Sequence, residues 1–174
     1  MTTEQALNLS RQEIIEKLIN NNFFVVQELV GPEVYKKHGQ NSWFVLTTEL
    51  LRTILFIRIK KGKPMYANNW HNPKPNERIF DERGHRANIQ NIVKNKTFDK
   101  ILYTSGHPLG QAIDFTFKGE TAEETRNWLI SIQDELPFKI RLEHKYNSTG
   151  EPITWVHLDV KYFESNPKVY LFNI

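Results

Sequence analysis

Two separated stretches of this chain carry residue types that can hold a metal. His107 and Asp114 lie in the segment 105–114, and His157 follows in the segment 155–159. Neither stretch supplies enough donors alone. Together they offer two imidazoles and one carboxylate, the set a catalytic zinc takes while keeping a fourth position open for water. Gly106 and Gly110 allow tight backbone around His107. The alternation of Trp155, His157 and Asp159 with Val156, Leu158 and Val160 predicts a strand carrying its ligand on one face. The chain has no cysteine, so a thiolate site and a disulfide framework are both excluded. Any zinc must be held by nitrogen and oxygen, which suits a catalytic site better than a closed structural one.

Such a centre lowers the pKa of water, and hydrolysis then needs two further groups. One is a base that moves the water proton to the leaving group; the other is a cation for the developing oxyanion or a substrate carboxylate. Two glutamates are candidates for the base. Glu143 lies on the strand expected before the second metal stretch, and Glu151 lies on the ligand face if the next strand is regular. A three-residue loop over 148–150, with Gly150 at the left-handed position, pairs Asn147 with Glu151 and sets Glu143 opposite Trp155. In that register Glu143 is about one residue pair from His157 and Glu151 sits at the turn. Arg86 is the candidate cation, because its fork can hold a carboxylate with two hydrogen bonds. Ser105 is a candidate for holding substrate or the ligand loop. Asp159 either orients a ligand as an acceptor or faces solvent. Asn68, Asn69 and Trp70 either line the cleft or pack structurally, and His71, His85 and His144 read as surface or cleft histidines.

The pattern from Ser105 through His107, Gly110 and Ala112 to Asp114, followed by Trp155 and His157, resembles the zinc D-alanyl-D-alanine carboxypeptidases and L-alanoyl-D-glutamate endopeptidases. Their fold is shared with the hedgehog signalling domain. Upstream, the segments 27–30, 34–35, 62–70 and 82–86 are similar to the small bacteriophage and bacterial members, so the resemblance spans roughly residues 24 to 161. It implies a peptidoglycan peptide substrate, a Zn2+ cofactor, Glu143 as the catalytic carboxylate and Arg86 as the substrate-binding arginine. Other members place the acid three residues before the last ligand, where this chain has Thr154. Hedgehog itself shows that the scaffold can serve recognition, so a non-catalytic wall-recognition or virion-structural module is the alternative.

These residues must be positioned by an α+β framework. Ser10 with Glu13 and Thr121 with Glu124 are capping boxes that open helices. The first should end near residue 22, forming an N-terminal helical extension, and the second near residue 135. Residues 43 to 59 predict a buried helix ended by Gly62 and Pro64, followed by a short strand to residue 69. From 70 to 100 the chain is polar and punctuated by Pro73 and Pro75, which predicts a long loop with little regular structure. Strands are expected at 112–117, 138–146, 153–162 and 168–172, giving a small, mostly antiparallel hedgehog-like sheet with helices packed against it. At 174 residues one domain is the expectation. The net charge of +3 lacks a concentrated basic track, so neither a nuclease nor a nucleic-acid partner is expected. No apolar run reaches the ~20 residues that span a bilayer, and no secretory signal opens the chain. Action on the cell wall would then follow lysis, holin release or carriage in a virion. Oligomeric state is left open.

Overall fold

The structure, a computed structural model, describes residues 2–147, 149–164 and 166–173. Among these residues it has six α-helices and a five-stranded mixed sheet, an α+β arrangement. Helices α1 (Thr3–Leu7) and α2 (Arg11–Asn20) each open on a capping box, Thr2 with Gln5 and Ser10 with Glu13. They deliver Ala6, Ile14 and Leu18 to the main hydrophobic core. After α3 (Pro32–His38), the helix expected from residue 43 begins as a 3-10 segment, Gly39–Val45. The α-helix proper, α4 (Thr48–Lys61), starts where the Thr47 hydroxyl accepts the Leu50 N–H and stops at Gly62 in the left-handed region. Leu50, Leu51, Ile54, Leu55, Phe56 and Ile57 are all buried, as their spread around the helix requires.

Helix α5 (Asn91–Phe98) lies inside the segment expected to be irregular. Only Val93 of this helix is buried and no side chain caps its start, so the sequence carries neither a strong apolar stripe nor a cap signal there. Helix α6 (Ala122–Ser131) opens on the Thr121–Glu124 capping box and runs on as a 3-10 turn to Glu135.

The strands are β1 (Met65–Tyr66), β2 (Ala112–Phe117), β3 (Ile140–Glu143), β4 (Val156–Asp159) and β5 (Val169–Phe172), in the order β1-β2-β4-β3-β5. The strands expected over 65–69, 138–146 and 153–162 are therefore much shorter. β5 pairs with β3 in parallel; the other neighbours are antiparallel. The register builds two rows of side chains across the sheet. Asp114 faces His157, and Ala112 faces Asp159. Arg141 faces Asp159, and Glu143 faces Phe172. Directly opposed residues share a face, so Asp114, His157, Glu143 and Phe172 form one row, with Ala112, Asp159, Arg141 and Tyr170 beside it. The other face carries Ile113, Phe115, Leu142, Val156 and Leu158 into the core.

Candidate metal centre

Three donor atoms converge at the head of this row: His107 Nε2, Asp114 Oδ1 and His157 Nδ1. Their separations are 3.2 Å between His107 and Asp114, 3.2 Å between the two imidazoles and 2.7 Å between His157 and Asp114. Donors set tetrahedrally around zinc at its usual bond lengths stand about 3.3 Å apart. The triangle therefore approximates one face of such a tetrahedron. All three residues are buried, and they could hold a metal ion.

Each ligand is held from behind. His107 Nδ1 donates to the Gly84 carbonyl at 2.7 Å, and His157 Nε2 donates to Asp159 Oδ2 at 3.2 Å. In the neutral imidazoles these outer bonds leave the inner nitrogens as bare lone pairs pointing at a carboxylate oxygen. Three acceptors so arranged require a proton or a cation between them. Asp114 Oδ2 accepts from Arg86 Nη2 at 2.9 Å. Asp159 in turn accepts a fork from Arg141, 2.8 Å from Nε and 2.7 Å from Nη2. Asp159 is fully buried and orients His157, so the solvent-facing alternative for it is excluded.

Charge states follow from this packing. Burial pushes the Asp114 carboxyl up, but His107 and His157 outweigh it and hold the group well below the usual range. Burial lowers His107. Burial would lower His157 too, yet its bonds to Asp114 and Asp159 prevail and push it up to about 9. Asp159, raised by burial, is brought down to about 2 by His157 and Arg141. A proton on His157 Nδ1 suits the short 2.7 Å edge to Asp114 Oδ1.

Two glycines let backbone close around the ligands. Gly110 has φ 65°, and a Cβ there would lie 1.8 Å from the Val45 carbonyl oxygen. Its N–H donates to the His107 carbonyl and its own carbonyl accepts from Thr47, tying the ligand loop to the start of α4. At Gly84 a Cβ would lie 2.1 Å from the Leu29 carbonyl oxygen.

A cleft of about 580 Å³ opens over the triad, lined among others by Arg86, Ser105, Glu143 and Trp155. Glu143 is buried and, among the described residues, its carboxylate makes no hydrogen bond. Burial raises its pKa; His157 opposes that shift and the Asp114 charge adds to it. Arg86 is already engaged, donating to the Glu82 carbonyl, the Tyr103 hydroxyl and Asp114. Ser105 Oγ accepts the His107 N–H at 3.4 Å. Glu151 is exposed at the turn, where Asn147 holds its backbone; Ser148 of that expected loop lies outside the described residues. Asn68 and Trp70 both donate to the Val30 carbonyl, and Asn69 bonds Phe80 and Arg78; none of the three lines the cleft. His71, His85 and His144 contribute no donor atom to the triad's cluster.

The hairpin departs from the expected register in an instructive way. Near the turn Tyr146 bridges Pro152 and Ile153 bonds Lys145, in agreement with the Asn147–Glu151 pairing. Farther along Arg141 pairs with Asp159, so the β4 side has gained two residues. Thr154 and Trp155 form this bulge, both exposed. One residue beyond the Leu142–Leu158 pair, Glu143 thus comes opposite His157 rather than Trp155. Arg126 holds the bulge: its Nε donates to the Glu143 carbonyl at 3.0 Å and its Nη2 to the Trp155 and Ile153 carbonyls at 2.7 and 3.4 Å. Sequence reasoning passed over Arg126 and Arg141. The signal for Arg126 was an arginine on the inward stripe of α6, between Ala122 and Leu129.

No family model, no curated protein and no solved structure matches this chain. The functional reading rests on side-chain geometry and on the motif residues themselves.

Proposed function

We propose that this chain is a zinc-dependent peptidase that hydrolyses peptidoglycan stem peptides, as a carboxypeptidase or an endopeptidase. The observation that carries the reading is a buried His107–Asp114–His157 triangle with an unengaged, buried Glu143 in the same row of the same cleft. The donor set is nitrogen and oxygen only, with a single carboxylate, which fits zinc. The motif pattern around these residues supplies the substrate class and the hedgehog-like reading of the fold. When bound, zinc supplies Lewis acidity that makes water a nucleophile near neutral pH and polarises the scissile carbonyl.

The protein residues perform the remaining work. Glu143, with its pKa raised by burial, accepts the proton of the attacking water and passes it to the leaving nitrogen. Arg86 fixes Asp114 from its outer oxygen while its remaining N–H groups serve the oxyanion or a substrate carboxylate. Ser105 braces the ligand loop at the edge of the cleft. Among the described residues no helix is long and apolar enough to cross a membrane, and the enzyme would meet the wall after lysis, holin release or as part of a virion. One observation favours the recognition-module alternative: Arg86 is held by three protein acceptors. Incubating purified sacculi with the protein, with and without zinc, decides between them. Zinc-dependent release of peptide fragments, identified by mass, supports the peptidase; zinc binding without any release supports the module.

A further inference from the structure

Four cations line the cleft, Arg86, Lys96, Arg141 and Lys161, and three of them are engaged within the protein. Arg86 holds Asp114 and Tyr103, Arg141 forks onto Asp159, and Lys161 Nζ donates to the Thr104 carbonyl at 2.5 Å. The Lys96 ammonium makes no hydrogen bond or ion pair among the described residues, although the backbone carbonyl of Lys96 accepts the Ile101 N–H. It stands on α5, one turn after Ile92, so a single face of that helix brings both side chains to the cleft. Ile101 and Leu102 continue this wall, and Leu102 is 86% exposed although it borders the site.

The carboxylates of the cleft are Asp114, Asp159 and Glu143. The first two are paired with arginines, and Glu143 stands bare. With a divalent cation on the triad the cleft is net positive and draws anions. We infer that Lys96 is a specificity-determining residue that pairs with a carboxylate of the peptide close to the scissile bond, while the adjoining alkyl group of that peptide packs on Ile92, Ile101 and Leu102. This rests on the reading of the cleft as a peptide site; it gives the peptide carboxylate to Lys96 and leaves the oxyanion to the remaining N–H groups of Arg86. The wall combines an unpaired ammonium with uncovered aliphatic surface, which is the complement of an acidic residue with an alkyl neighbour.

The test uses the zinc-loaded full chain and two probes: a synthetic stem pentapeptide, L-Ala-γ-D-Glu-L-Lys-D-Ala-D-Ala, and the same peptide with its carboxylates amidated. Binding is read from tryptophan fluorescence in the first moments after mixing, since Trp155 lines the cleft. Hydrolysis is followed separately by mass. Wild type should bind the acid form about tenfold more tightly than the amide, the worth of one charge-assisted hydrogen bond. Lys96→Gln should bring that ratio close to one with zinc content unchanged. Lys94→Gln, the same charge change at an exposed position of α5 outside the cleft lining, should leave the ratio intact. The inference is overturned if wild type shows no preference, if Lys96→Gln keeps it, or if Lys94→Gln removes as much of it. Absence of hydrolysis by wild type would sink the peptidase reading while the binding ratios still decide the role of Lys96.

Discussion

Replacing Arg126 by methionine should be among the most damaging single changes outside the metal ligands. The side chain is 4% exposed and bridges α6 to three carbonyls around the Thr154–Trp155 bulge. Two of these bonds, at 3.0 and 2.7 Å, are well formed, and the third, at 3.4 Å, is long. A hydrogen bond from a charged donor contributes about 1.5–3 kcal/mol. Methionine has similar length, leaves no large cavity and recovers part of the loss through apolar contact. The net cost should therefore be about 3 kcal/mol, or roughly 6–12 °C in Tm for a chain of this size. Because the bulge sets the register, the variant should also lose hydrolysis out of proportion to its folded fraction, at temperatures where it is fully folded and retains zinc. Urea unfolding monitored by circular dichroism, with peptide hydrolysis on the same samples, measures both. Stability within about 0.5 kcal/mol of wild type, with unchanged turnover, would mean that Arg126 does not hold Glu143 opposite His157.

Metal binding should be coupled to proton release. His157 titrates near 9 in the metal-free protein, so at pH 7 a metal must displace its proton, and affinity should rise about tenfold per pH unit from 7 toward 9; a flat profile in chelator competition would contradict the proton-bridged triad. The same raised pKa stabilises the metal-free fold fully below the unfolded value of ~6.5, and that stabilisation is lost as pH rises through about 9. Thermal melts of metal-free protein between these limits should show the decline relative to His157→Gln. Asp159→Asn removes the charge that orients His157 and should weaken zinc about 10- to 100-fold; unchanged affinity would make Asp159 a partner of Arg141 alone. Arg86→Ala should loosen zinc binding as well as raise the Michaelis constant, because Arg86 holds Asp114; an effect confined to the Michaelis constant would limit it to substrate contact.

The triad was legible because ligand chemistry is local: His107 and Asp114 are the only zinc-type donors in 105–114, His157 shares 155–159 with Asp159 alone, and strand alternation sets their faces. The capping boxes at Ser10 and Thr121 and the all-round apolar character of α4 were legible for the same reason. The bulge was not. Thr154 and Trp155 are good strand residues, and what displaces them from the ladder is an arginine some 30 positions upstream. Asp159 was ambiguous until its cross-strand partner Arg141 was known, since a carboxylate is buried there only when its charge is met. Helix α5 escaped because one buried valine and an uncapped start leave almost no periodic signal.

Glu143→Gln tests the central claim most directly. The change keeps the size and the position of the side chain and removes its capacity to take a proton. Turnover of stem peptide should fall by about 10²–10⁴-fold, the usual worth of a positioned general base, with zinc content by elemental analysis unchanged and Glu151→Gln close to wild type. Full turnover by zinc-loaded Glu143→Gln would contradict the account.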